Sequence, residues 1–339
     1  MPKFLDTAPV LSDTAEVKRR LDRDGHLFIR GLLPPDVLEP VRRRWLGFAR
    51  DAGWVDGSAP LEASVADLNG FCLEPQDRYM AVMHRVYALP EYHAIAYHPN
   101  LVDLFERVLG EDILPHGMVI GRTIFPQRTA YTTPPHQDWV PIQGCEDTYT
   151  AWIPMSDLPD DMGGLQINAG SHKAGIYDFK PALGAGATTI TDPLDEARWM
   201  SGSMRQGDVI IFHSLAVHRG RPNKSKRLRL SIDARYQRVS DPVAAKSLNP
   251  HGGLITWEQL YKDWPADHKL KYYWRKWDLT IKEYDNSYTH KRDQMAFAMA
   301  EAGDPDARAV LERIISRDAD PKKRRRAQAL LGRLGEQST

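Results

Sequence analysis

The stretch TPPHQDWVP, residues 133–141, sets His136 and Asp138 two positions apart between proline-bounded turns. An imidazole and a carboxylate are both ligands for a first-row divalent metal. On extended chain, positions i and i+2 project to the same side, so both could reach one ion while Gln137 points elsewhere. A solvated turn is the alternative, because a chain with 12 histidines and 45 acidic residues produces short His-x-Asp pairs by chance. A metal site of this kind needs a third ligand from another strand. GDVIIFHSLAVHRGRPN, residues 207–223, offers His213 and His218. Their odd separation puts them on opposite sides of a regular strand, so one alone can face the site. His218, at the strand end beside the turn RGRPN, is the assigned ligand, and His213 is read as a hydrogen-bonded structural histidine.

The next segment, RLRLSIDARY, divides with period two. Leu228, Leu230, Ile232 and Ala234 share one face, and Arg227, Arg229, Ser231, Asp233 and Arg235 share the other. An edge strand with a solvated charged face is one reading. Inside a barrel, the Arg229-x-Ser231 pair would instead present a guanidinium fork and a hydroxyl to a carboxylate.

Taken in order, His136-x-Asp138, His218 and then Arg229 resemble the phytanoyl-CoA dioxygenase family of Fe(II)/2-oxoglutarate oxygenases. GGLQINAGSHKAG is similar to that family's glycine, leucine and PGSHK signature, with Ala169 where proline is usual, and GDVIIFHSLAVHRGRPNKSKRLRLS is similar to its C-terminal motif. The resemblance spans roughly residues 112–240 and implies Fe(II) on His136, Asp138 and His218. It also implies 2-oxoglutarate anchored by Arg229 with Ser231 as helper, O2 as the other cosubstrate, and Gln127, Thr133 and Trp152 on strands lining the cosubstrate pocket. Asp138 separates the chain from related halogenases, which carry a small residue in place of the carboxylate. Hydroxylation of a small-molecule C–H bond, with succinate and CO2 released, is the default outcome; desaturation, epoxidation and ring closure start from the same chemistry. Arg122 on the preceding strand, with Tyr131 and Trp139 flanking the metal motif, are candidate substrate contacts. No concentrated basic stretch near the core motifs supports a CoA thioester.

These groups need a scaffold to position them. SDTAEVKRRLDRDG reads as a capped helix, HLFIRGLL as a strand, PPDVLEPVRRRWLGFARDAG as a helix with Leu38, Val41, Trp45 and Phe48 inward, and HPNLVDLFERVLG as another. Residues 54–90 carry no clear pattern. From 112 to about 240 short β-rich runs alternate with Gly, Pro, Asn and Asp, as in an antiparallel sandwich or barrel. The expected fold is mainly β with helical flanks: a double-stranded β-helix (jelly-roll, cupin-like) core over 112–250. An N-terminal supporting region covers 1–111 and a helical extension 251–339. In the extension Trp257, Leu260, Tyr261 and Trp264 follow helical spacing, and DPDARAVLERIIS and DPKKRRRAQALLG open alike, suggesting a terminal helical hairpin that could support a homodimer.

Composition excludes little but directs the reading. With 339 residues, 42% hydrophobic content and 45 basic against 45 acidic residues, the chain can bury a large core and carries no global field toward nucleic acid or anionic membranes. Cys72 and Cys145 are too few for a disulfide framework, and a reducing, cytoplasmic setting fits. The opening MPKFLDTAPVLSD is broken before any apolar run develops, so no leader or membrane span is expected. Two other readings compete. A nucleic-acid binder would use KKRRR and KLKYYWRKW, where basic residues sit beside aromatics. A metal-binding jelly roll without turnover would keep the ligands alone.

Overall fold

The computed structural model describes residues 2–128, 131–183, 187–251, 253 and 255–336. Helix α1 (Thr14–Asp24) starts where the Asp13 carboxylate accepts the Glu16 N–H at 3.0 Å, and stops at Gly25, whose φ of 73° suits glycine. Strand β1 (His26–Ile29) follows, then α2 (Pro35–Asp51), which buries Leu38, Val41 and Trp45 on one face. The stretch without a clear pattern contains α3 (Asp77–Tyr87), and α4 (Pro90–Ala96) follows it, before α5 (Pro99–Leu109). α3 buries Tyr79, Met80, Val82, Met83, Val86 and Tyr87 at helical spacing, and α4 buries Tyr92, Ile95 and Ala96.

The strands assemble into two main sheets. In the larger, β1, β9 (Val209–His213), β4 (Tyr149–Pro154) and β11 (Arg229–Arg238) run side by side, and β11 is flanked on its far side by β3 (Ile120–Ile124) and β2 (Ile113–Pro115). Every pairing in this sheet is antiparallel. The smaller sheet has the order β10 (His218–Gly220), β5 (Leu165–Asn168), β8 (Trp199–Met200). β6 (Phe179–Pro181) and β7 (Thr188–Ile190) form a separate hairpin, and the one-turn helix α6 (Trp139–Ile142) follows the metal motif. Among the described residues no strand closes the two sheets into a barrel.

Period two sorts the larger sheet into two faces. Ala151, Ile153, Val209, Ile211, Leu230, Ile232 and Ala234 pack with α1–α5 in the main core. Trp152, Ile210 and Phe212 point the other way and meet Leu165 and Ile167 of the smaller sheet. The helices brace the sheet through specific bonds as well: Trp45, fully buried, donates its indole N–H to Thr123 Oγ1 at 3.0 Å. Losing such a ring costs about 3–5 kcal/mol.

After β11 the chain leaves the sheets. Trp257, Leu260, Tyr261 and Trp264 are buried as their spacing suggests, but only one helical turn forms, α7 (Trp257–Leu260), and the residues join the main core. The tail then contributes α8 (Ser287–Glu301), α9 (Arg308–Arg317) and α10 (Pro321–Glu336). The expected hairpin is therefore part of a three-helix unit. Its own core holds Phe297, Val310, Leu311, Ile314, Leu330 and Leu334. No helix among the described residues is long and apolar enough to cross a membrane.

Candidate metal centre and cosubstrate socket

His136 lies on extended chain, where its N–H and C=O exchange bonds with those of His218 at 2.9 and 3.0 Å. Asp138 does not continue that extension. It has helical φ and ψ of −66° and −24° and leads into α6. Gln137 between them is buried and turned away, donating to the Gly175 and Leu215 carbonyls and accepting the Tyr177 N–H, which fixes the bend. His213 and His218 occupy different strands in different sheets, with a turn between them, so the two-faced single strand expected from their spacing is not what separates them. His213 ends β9 on its outer face, where its ring accepts the Leu215 N–H at 3.1 Å and approaches Asp147 at 3.3 Å. His218 starts β10 facing the gap between the sheets.

The result is a cluster in which ligand atoms of His136, Asp138 and His218 all lie within 4.8 Å of one another, each residue buried. Asp138 Oδ1 sits 3.7 Å from His136 Nε2 and 3.6 Å from His218 Nε2. Both imidazoles donate Nδ1–H to carbonyls, His136 to Pro134 at 2.9 Å and His218 to Ala216 at 3.0 Å. That leaves both Nε2 lone pairs turned to the centre. Burial lowers both pKa values, that of His136 to about 3 with help from the neighbouring His218, so the rings are neutral ligands. Burial would raise the Asp138 carboxyl, but the Arg235 guanidinium, with the hydrogen bond from Thr150, holds it below its ordinary range. Its outer oxygen Oδ2 accepts from Thr150 Oγ1 at 2.7 Å and Arg235 Nη2 at 3.0 Å, reserving Oδ1 for the centre. Two neutral imidazoles and one oriented carboxylate fit the donor set of a non-haem iron site.

Arg235 and Thr150 are the residues that motif reading missed. They face each other across β11 and β4 in register, and Arg235 shares the period-two face of Arg229. That face is the only sequence signal for it. The face is not solvated: all but the last residue of β11 are buried, and the strand is internal to the sheet. Along it, Asp233 Oδ2 receives Arg122 Nε at 3.1 Å, and Arg122 also pairs with Glu74 at 2.8 Å.

Arg229, six positions before Arg235, has no such partner. Its Nε and Nη1, and the fully buried Ser231 Oγ, make no hydrogen bond among the described residues. Its guanidinium lies 5.8 Å from the Trp152 ring centroid, and burial lowers its pKa to about 10 despite Asp233. A buried, unpartnered cation beside an unpartnered hydroxyl has the chemistry of a socket for an anion.

Two cavities flank the ion pair of Arg122 and Glu74. One is lined by Arg229, Thr133, Tyr131 and Arg122, and by Ala309 and Val310 of the tail. The other holds Asp138 and Arg235, with Tyr288 and Lys246 from beyond β11. Tyr131 donates to Asp306 at 2.9 Å and so ties this wall to the tail. Trp139 is half-buried against Val140, Tyr284 and Tyr288 and lines neither cavity. Gln127 is exposed in a turn with φ of 61°, also away from both. Of the basic tail segments, Lys323 pairs with Asp293 and Asp318, Arg326 with Glu301, and Trp274 is buried in the main core.

The profile of the phytanoyl-CoA dioxygenase family (PhyH) matches residues 21–231. The 1-deoxypentalenic acid 11-beta-hydroxylase of Streptomyces exfoliatus is 27% identical over 277 residues, covering 77% of this chain and 92% of that protein. Peroxisomal phytanoyl-CoA dioxygenase of Mus musculus is 22% identical over 232 residues, with 66% and 68% covered. A non-heme alpha ketoglutarate dependent carbocyclase, SnoK from nogalamycin biosynthesis, superposes with a TM-score of 0.48 at 20% identity, covering 72% of this chain and 89% of that one. With a match running from α1 into β11 and taking in the buried histidines, the carboxylate and Arg229, the chain belongs to the phytanoyl-CoA dioxygenase family and is an iron- and 2-oxoglutarate-dependent oxygenase.

Proposed function

We propose that this protein hydroxylates an unactivated C–H bond of a small-molecule metabolite, converting 2-oxoglutarate to succinate and CO2 in the same turnover. The observation that carries this is the presence together of a buried His-Asp-His cluster and an unpartnered Arg229 on β11. His136, Asp138 and His218 would hold the metal, and Arg229 with Ser231 would take the distal carboxylate of the cosubstrate, Thr133 and Trp152 shaping that pocket. Iron with 2-oxoglutarate supplies the oxidising power. The chain's own residues do the rest: Arg235 and Thr150 fix the carboxylate that faces the metal, the Pro134 and Ala216 carbonyls fix the imidazoles, and the flanking sheets and tail exclude water. Arg122, held between Glu74 and Asp233, divides the cavities and would orient substrate as a wall rather than as a free cation.

The two facing sheets with a metal cluster in the gap are read as a jelly-roll core, supported by residues 1–111 and covered by residues 251–339. A hydroxylase named for an acid among the relatives is consistent with a small organic substrate. The test is succinate formation with Fe(II) and 2-oxoglutarate across a panel of compact apolar metabolites, with product analysed by mass. One compound should raise succinate above the uncoupled background and gain a single oxygen atom. Absence of succinate in every condition, uncoupled turnover included, contradicts the reading.

A further inference from the structure

We infer that the substrate is an organic anion whose charged end is held by Lys246, a residue outside every recognised motif. The inference rests on the oxygenase reading and names the substrate class of that site. The metal-side cavity is lined by several basic side chains, Arg292 among them, and three are visibly committed: Arg122 to Glu74 and Asp233, Arg235 to Asp138, and the His251 ring to Glu74 at 2.6 Å. Lys246 has no carboxylate within 4.0 Å among the described residues. Its Nζ donates to Tyr284 Oη at 2.8 Å and to Tyr288 Oη at 3.1 Å.

Tyr284 donates its single hydroxyl hydrogen to the Pro141 carbonyl at 2.8 Å, so it accepts from Lys246 and from Tyr288, whose hydroxyl lies 2.8 Å away. Tyr288 in turn accepts from Lys246. An ammonium has three donors. Two are used on neutral phenols, leaving one donor and an unneutralised charge on the wall of the cavity that also contains Asp138. Met118, Ile120, Pro141 and Ile142 give the same cavity an apolar lining. Lys246 also lines the outer groove, together with Arg275, Arg313 and Arg317, so it stands where that groove meets the metal-side cavity. A molecule with a carboxylate at Lys246 and an apolar body against Ile120 and Ile142 would present its C–H bonds to the metal side.

The probes are adamantane-1-carboxylate and its neutral counterpart adamantane-1-methanol, titrated calorimetrically into protein loaded with Fe(II) and 2-oxoglutarate without oxygen. The wild-type protein should bind the carboxylate about tenfold more tightly than the alcohol, the worth of one charge-assisted bond. Lys246→Met should bring the two together and Lys246→Arg should restore the preference. Equal binding of both probes by the wild type, no binding of the carboxylate, or a preference that survives Lys246→Met overturns the inference. If Lys246→Met fails to fold, the wild-type ratio decides alone. The visible charge-transfer band of the chelated 2-oxo acid separates the two claims: its absence from the wild type defeats the oxygenase reading, whereas its presence with no carboxylate preference defeats only the role of Lys246.

Discussion

Arg235 and Arg229 project from the same face of one strand, yet their surroundings are opposite. Arg235 is bonded to the carboxylate of the metal cluster, and Arg229 has tryptophan on one side and a cavity on the other. The first arginine is a part of the folded protein's own electrostatics, and removing it strands a buried anion. The second is a charge kept without a counter-ion, which is costly in the empty protein and useful only when an anion arrives. On the proposed reading, one strand both supports the metal site and takes the cosubstrate, using the same residue type at positions six apart.

The largest effect should come from the histidines that set the metal end. His218→Ala should abolish turnover and iron retention, whereas His213→Ala, whose ring lies on the outer face of β9, should keep iron and lose about 1 kcal/mol of stability from its lost hydrogen bond. Metal analysis after desalting separates them; iron lost from the second variant and kept by the first would reverse the assignment.

The two arginines should then differ in sign. Arg235→Met leaves Asp138 buried with Thr150 alone and should destabilise the metal-free protein by about 3–5 kcal/mol, the usual consequence of breaking a buried pair. It should also weaken metal binding roughly ten- to a hundredfold. Arg229→Met removes a buried cation without a partner and should leave the thermal midpoint unchanged or raised. Calorimetric scans without metal or 2-oxoglutarate test this, and equal losses in both variants would remove the contrast.

A smaller effect concerns His116, beyond Arg235 in the same polar row. Its Nε2–H donates to Gln237 Oε1 at 2.8 Å, and burial, with Arg235 nearby, lowers its pKa from 6.5 to about 4. Between those values the unfolded chain binds the proton and the folded chain does not, so stability is full above pH 6.5 and falls as pH drops toward 4. The contribution is on the order of 3 kcal/mol. His116→Asn should flatten the dependence of the thermal midpoint over that window; an unchanged slope would show that His116 is not the group responsible.

The His136, Asp138 and His218 cluster was legible as three unusual residues in two short runs, although neither run keeps period two through them, and Arg229 was legible from the period-two face of β11. Arg235 was visible on the same face but had no reason to be chosen, since its partner Asp138 is remote in sequence and only the register of β11 against β4 brings Thr150 and Arg235 to one oxygen. The bend at Asp138 was hidden too, because Gln137 sets it through carbonyls that no local pattern announces. Gln127 looked like a strand residue and is a turn residue, where a left-handed backbone interrupts the run. The tail was the least readable part. Its helices could be found by their caps, but their cavity-lining residues, Tyr288, Ala309 and Val310, meet the site by tertiary packing and follow no period of their own. The groove beside Lys246, lined by Arg275, Arg313 and Arg317, is likewise assembled from distant segments, so no basic run in the sequence marks it.

The central claim is that Arg229 is the anchor for 2-oxoglutarate. Anaerobic titration of 2-oxoglutarate into Fe(II)-loaded wild type, Arg229→Lys and Arg227→Lys, followed by the visible charge-transfer band, tests it directly. Lysine keeps a charge but loses the two-pronged fork, and one charge-assisted bond is worth roughly 1.5–3 kcal/mol. Arg229→Lys should therefore need about ten- to a hundredfold more 2-oxoglutarate for half-saturation while reaching the same final band. Arg227, which precedes β11 and lines neither cavity, should titrate as the wild type does. Equal shifts in the two variants, or a larger one at Arg227, would contradict the account.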